Sequence, residues 1–345
     1  MSATVELRQL LDAARVEQLR RAGALVLDVD DTLLARERAG VRDGGGGEET
    51  FAESAAAALL PELLRRGFRI ALITGHGWRQ LESRLVAPVV ANLRETGDAS
   101  SIGRLHVYAN RGATKIVRDG ERHAVDEVYG ERHQLRATDA AALRGLLESL
   151  GAEFDAKVRA RGEWYRAAFP RFDFATLPAR VDEREGAVLV LRPIPARRHA
   201  GPDVSANPRA EVYGRALELL RRANLEGDYE LAESGRSSIE ITRRGVSKET
   251  AMRDLSAEVS RATGEDEAGV ENALVYVGDE FEEGGNDVVI PPAFPRALCL
   301  SVAPGREGRA LQEGVVSLGR TTEVAGAAGT AATRALLAHL LNLSA

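Results

Sequence analysis

Asp28 and Asp30 stand two residues apart, directly after the apolar run 24–27. Asp279 and Asp287 follow a second apolar run, 274–277. Clustered carboxylates repel one another and normally hold a cation, and an all-oxygen donor set favours magnesium. Magnesium needs few protein oxygens and leaves coordination positions for water and a substrate phosphate. Lys248 supplies a charge that neutralises such a phosphate, and Thr74 supplies a hydroxyl that donates to its oxygens. Together these residue types point to phosphoryl transfer at a magnesium site.

Such groups converge only if short strands deliver them to one edge. Residues 4–21 carry Val5, Leu7, Leu10, Leu11, Val16 and Leu19 at helical spacing, and Gly23 ends that helix. The run 24–27 then reads as a strand buried on both faces, stopped by the polar cluster 28–32. Segment 54–66 is a helix closed by Gly67, 68–73 a second strand ending in Thr74-Gly75, and a helix starts at Trp78. Segment 105–109 is a third strand ending in Asn110-Arg111-Gly112. After about residue 245 the same texture resumes, with a helix over 249–263, strands over 274–277 and 297–302, and a closing helix over 331–343.

This alternation predicts an α/β fold with a doubly wound parallel sheet of Rossmann-like kind, which binds ligands at the carboxyl ends of its strands. Residues 113–244 are richer in Arg, Glu and aromatics, among them Trp164, Tyr165, Phe169, Phe172 and Phe174. They predict an inserted α+β domain over 113–244, with 1–112 and 245–345 forming the catalytic core. The four consecutive glycines in 42–50 predict a loop rather than a phosphate cradle, since no Gly-Lys-Ser/Thr ending follows.

The chain has a net charge of −6 with both signs interleaved, and no basic block that would suit nucleic acid. No apolar run is long enough to span a membrane, and residues 1–23 lack the apolar centre of a signal peptide, so a cytoplasmic location is the expectation. Cys299 is the single cysteine, which rules out an intrachain disulfide and a cysteine-rich zinc site.

The motifs carry a specific resemblance. Segment 25–33, with Asp28-Val-Asp30-Asp-Thr32, resembles the first motif of the haloacid dehalogenase superfamily, and 72–75 resembles the second. Gly245-Val-Ser-Lys248 is similar to the third, and Val277-Gly278-Asp279 running on to Gly285-Asn286-Asp287 to the fourth. The likeness covers about 23–112 and 245–303. An α+β cap between motifs two and three resembles the subclass of Cof-type sugar phosphatases, sucrose and trehalose phosphate phosphatases and phosphomannomutase. The seven-residue step from Asp279 to Asn286 is similar to phosphomannomutase, as is Ser238-Ile-Glu240, although Glu240 replaces an aspartate.

The resemblance implies that Asp28 is the nucleophile and Asp30 the general acid and base. It implies that Asp28, the Asp30 backbone carbonyl, Asp279 and Asp287 serve the magnesium. Thr74, Gly75, Lys248 and Asn286 would then hold the phosphate. Ser238, Glu240 and Arg192 are candidates for substrate contact, and Arg197 and Arg198 for a second anionic group. Asp287 also reads as a helix N-cap, Glu240 as a solvated strand carboxylate, and the aromatics of the insert as packing. The expected activity is hydrolysis of a sugar phosphate or similar small phosphomonoester through an aspartyl phosphate. A phosphomannomutase-like mutase and a non-catalytic phospholigand-binding protein are the alternatives. A small-molecule substrate is the expected partner, with no nucleic acid and no membrane; the sequence leaves the oligomeric state open.

Overall fold

Apolar runs of three to five residues become strands, and the polar residues after them fall at one edge of a sheet. The computed structural model describes residues 6–35, 49–119, 122–168, 179–192, 209–234, 238–283, 285–303, 311–321, 324 and 326–344. Arg197, Arg198, Phe169, Phe172, Phe174 and the glycine run of the 42–50 loop lie outside them. The strands are β1 (Leu25–Leu27), β2 (Ile70–Ile73), β3 (Leu105–Ala109), β4 (Thr114–Asp119) and β5 (Arg122–Val125). Four more follow, β6 (Arg180–Arg184), β7 (Val188–Arg192), β8 (Tyr229–Ser234) and β9 (Ser238–Arg243). The last three are β10 (Val275–Gly278), β11 (Leu298–Ser301) and β12 (Val315–Ser317).

The chain divides into two compact units, Met1–Asp126 with Ser247–Ala345, and Glu127–Val246. In the first, eight strands run in the order β12-β11-β10-β1-β2-β3-β4-β5. All pairings from β12 to β3 are parallel, and the β4–β5 hairpin is added antiparallel to β3. The fold is therefore α/β around a mostly parallel sheet. The expectation of an insert starting at 113 meets a different division. β4 pairs onto β3 and β5 onto β4, extending the first unit's sheet, and the contact boundary falls after Asp126.

The central strands are buried throughout, as the continuous apolar runs require. On one face Leu25, Leu27, Leu72 and Val277 join a core with residues of the helix Thr330–Leu343. On the other lies the helix Lys248–Thr263, whose Asp254 accepts a hydrogen bond from Tyr108 Oη at 2.8 Å. The expected single helix over 4–21 is instead two, Leu7–Leu10 and Ala13–Ala22. Asp12 breaks it, because its side chain caps the second helix by accepting the Arg15 amide at 2.8 Å.

A charged network ties β3 and β4 to the same helix. Lys115 Nζ lies 2.7 Å from Asp254 and 2.6 Å from Glu258, and His106 Nδ1 lies 3.2 Å from Glu258. Burial alone would raise the Glu258 pKa, but His106 and Lys115 outweigh it and hold it down at about 2. A depressed carboxylate stabilises the fold above its unfolded pKa and loses that contribution as pH falls through the folded one. Glu258→Gln should therefore cost about 1–3 kcal/mol at pH 7. Urea melts should show the difference from wild type shrinking as pH falls from about 4.5 toward about 2. A gap that is absent at pH 7, or that grows on acidification, would count against the network.

The second unit is α+β. Its sheet has the order β6-β7-β9-β8, with every pairing antiparallel. Leu189, Leu191, Ile239 and Ile241 alternate onto one face and pack with Leu143, Leu147 and Phe154 of the helix Ala137–Ala160 and Val212, Ala216 and Leu220 of Arg209–Arg222. Tyr165 belongs to the same core, so for this aromatic packing is the observed role.

Candidate active site

The chain leaves β1 by a tight turn. The Asp28 amide donates to Val277 O at 2.9 Å, carrying the parallel ladder one residue past the strand. Asp31 then takes a left-handed conformation (φ 54°), and the amides of Leu33 and Leu34 both return to Val29 O. This turn holds Asp28 and Asp30 at the strand end, 2% and 5% exposed. Thr32 is buried beside them, and its hydroxyl has no hydrogen-bond partner among the described residues.

Asp28 and Asp30 face different neighbours. Lys248 Nζ stands 3.0 Å from Asp28 Oδ1 and 2.8 Å from Asp287 Oδ1, and the lysine is itself buried. Burial raises the Asp28 carboxyl to about 7, against the lowering effect of Lys248, with Asp287 and Asp30 adding to the rise. Burial would also lower the Lys248 ammonium, but the two carboxylates outweigh it and hold Lys248 above its ordinary value. Asp30 turns elsewhere. Its Oδ2 lies 2.6 Å from His76 Nδ1 and accepts the Thr74 hydroxyl at 3.5 Å. Thr74 is fully buried at the end of β2, and its hydroxyl accepts the His76 amide at 3.1 Å. Gly75 lies between them and is partly buried.

Asp287 is buried through a different device. It accepts Tyr276 Oη at 2.6 Å and Lys248 on one oxygen, and the Glu280 amide at 2.9 Å on the other. It is thus no helix cap; Val289 precedes the short helix Ile290–Ala293. The long step from Asp279 to Asn286 closes on itself, since the Asp287 amide returns to Glu280 O at 3.1 Å. Gly285 permits that closure, because a Cβ there would stand 2.2 Å from Glu280 O. Asn286 is partly buried in this loop, with its Oδ1 buried and without a partner among the described residues.

One oxygen from each of Asp28, Asp279 and Asp287 lies within 4.8 Å of the others. Three carboxylates gathered this closely suit a hard cation that takes oxygen ligands. The Asp30 carboxylate is not part of that cluster. Two contacts escaped sequence reasoning. His76 shows no ligand spacing, and Tyr276 reads as one more apolar strand residue. The available signal for Tyr276 was chemical, since a phenol in a fully buried strand needs a hydrogen-bond partner.

The candidate substrate residues lie in the second unit. Glu240 is not solvated; it is 1% exposed and paired with Arg184 Nη1 at 2.9 Å. Ser238 is buried on the same strand and the same face, and Arg192 pairs with Asp182 at 2.7 Å.

No family model matches the chain, and no curated protein sequence does. Solved structures do. A C-terminally truncated Plasmodium falciparum IMP-nucleotidase aligns at TM-score 0.55 and 13% identity, over 97% of this chain and 76% of that one. An IMP-bound mutant of the same protein aligns at TM-score 0.54 and 13% identity, over 97% and 71%. With the four motifs at the strand ends and helix start described above, the chain has the haloacid dehalogenase fold.

Proposed function

We propose that this protein is a magnesium-dependent phosphatase acting on a sugar phosphate or a similar small phosphomonoester. One observation carries the reading. Two carboxylates two residues apart leave the central strand into different settings, Asp28 against Lys248 and Asp30 against His76 and Thr74. Carboxyl groups held in different environments can serve as nucleophile and as acid–base.

Asp28 attacks phosphorus, forming an acyl phosphate as the bond to the leaving oxygen breaks. Asp30 gives that oxygen a proton and later takes one from the water that releases the phosphate. Lys248 and Thr74 stabilise the charge spread over the phosphoryl oxygens, and Gly75 and Asn286 complete their cradle. Asp28, Asp279, Asp287 and the Asp30 carbonyl would hold magnesium. When bound, the ion screens the repulsion between the carboxylates and the phosphoryl group. The paired state of Glu240 with Arg184 supports a structural role for that carboxylate in the sheet rather than a free contact for a sugar.

The test is phosphate release from a panel of sugar phosphates and nucleoside monophosphates, IMP among them because of the name carried by the fold neighbours. Activity should require magnesium, vanish with a chelator and return on adding the ion. Full activity in excess chelator, with no metal in the purified protein, would overturn the metal dependence. The seven-residue step from Asp279 to Asn286 keeps a mutase as a second reading. Mannose 1-phosphate with a bisphosphate activator, followed by phosphorus NMR, separates the two. Free phosphate supports the phosphatase, and mannose 6-phosphate without it supports the mutase.

A further inference from the structure

Of the non-glycine residues with positive φ, Asn110 (φ 53°) and Arg111 (φ 60°) are consecutive, and Gly112 (φ 95°) extends the run to three. A left-handed backbone disfavours any residue with a Cβ, arginine included, and strain of this kind persists where the surroundings enforce it. They do so here at each step. The Asn110 amide donates to His76 O and the Arg111 amide to Thr74 O, both at 2.8 Å, which stitches the β3 exit to the β2 exit. Gly112 is required, since a Cβ there would stand 2.5 Å from Ser247 O, next to Lys248. The turn is thus locked to both elements that supply the candidate phosphate groups.

The same lock places the start of the arginine stem beside Gly75, since a Cβ built on Gly75 would stand 3.8 Å from Arg111 Cγ. Charge arithmetic favours a further cation there if a phosphate is to bind. Asp28, Asp30, Asp279 and Asp287 bring four formal negative charges to this edge, while Lys248 brings one positive. A divalent cation leaves that sum negative before any phosphate dianion arrives. A guanidinium remains charged at all working pH and presents paired donors that match phosphate oxygens.

We propose that Arg111 is a substrate-contacting residue whose guanidinium binds the non-bridging oxygens of the phosphoryl group beside Thr74 and Gly75. This rests on the phosphatase reading above. Glycine or asparagine suits the left-handed position better than arginine, so R111G and R111N separate function from folding.

Both variants should melt no lower than wild type. Both should bind inorganic phosphate at least ~10-fold more weakly in calorimetry with magnesium present, and lose ~10- to 100-fold in kcat/KM on the best panel substrate. R111K, which keeps the charge but not the fork, should recover part of the phosphate affinity. Unchanged phosphate affinity and kcat/KM in R111G or R111N would overturn the proposal while leaving the phosphatase reading intact. A lowered melting temperature in both, with phosphate binding retained, would overturn it in favour of a structural role. Wild-type protein that releases no phosphate from any substrate refutes the phosphatase reading instead, and Arg111 is then judged on phosphate binding alone.

Discussion

Asp28→Asn is expected to lower phosphate release by at least ~10³-fold while the protein stays folded. The amide is isosteric and fills the same buried space, but it cannot attack phosphorus to give an acyl phosphate. The variant also carries a stability signature that a mere packing defect would lack. Burial raises the Asp28 carboxyl from 3.8 to about 7, with Lys248 opposing the shift. A raised acid binds its proton more tightly folded than unfolded. Stability from this group is therefore present in full below about 4 and is lost as pH rises through about 7. In chelator, wild type should lose on the order of a few kcal/mol relative to Asp28→Asn across that window. Thermal melts of both proteins between pH 4 and 8 would read it. Near-normal turnover by the folded variant would remove Asp28 as the nucleophile, and parallel pH profiles would remove the account of its burial.

The strand ends were legible because buried parallel strands are written as short apolar runs and stop where polarity begins. That rule found β1, β2, β3, β10 and β11 to within two residues at either end, and with them the edge where Asp28, Thr74 and Asp279 emerge. Other parts have no local signature. The β4–β5 hairpin mixes the buried Thr114, Lys115 and Ile116 with the partly exposed residues of β5, and only its pairing with β3 assigns it to the first sheet. Asp12 lies inside an apolar periodicity that continues on both sides, so its capping role is visible only from the Arg15 amide. The partners of buried charges are separated along the chain. Arg184 meets Glu240 across fifty-six positions, and Tyr276 meets Asp287 across the closed loop 279–286. Residue type left Glu240 as a solvated carboxylate and Asp287 as a helix cap or metal residue; the sheet register and the loop closure chose their partners.

Lys248→Met tests whether the buried lysine acts in chemistry, in folding or in both. Its ammonium lies 3.0 Å from Asp28 and 2.8 Å from Asp287, and all three side chains are almost wholly excluded from water. Methionine keeps the length and loses the charge, leaving two carboxylates buried without their shared cation. Breaking a buried ion pair from one side costs about 3–5 kcal/mol, because the abandoned charge retains its desolvation penalty. In chelator at pH 8 the variant should be destabilised by that order, and its phosphate release with magnesium should fall at least ~10²-fold. Acid should shrink the stability deficit, since burial already raises the Asp28 carboxyl and the loss of Lys248, which opposes that rise, lets it take up its proton more readily. The double variant Lys248→Met with Asp287→Asn separates the two roles. Removing one of the two stranded charges should restore part of the lost stability, so the two substitutions couple in a double-mutant cycle. Activity should not return, because neither neutral side chain stabilises the phosphoryl oxygens. Recovery of both properties together would make Lys248 a purely structural counter-ion, and a single variant as stable and as active as wild type would leave the lysine with neither role.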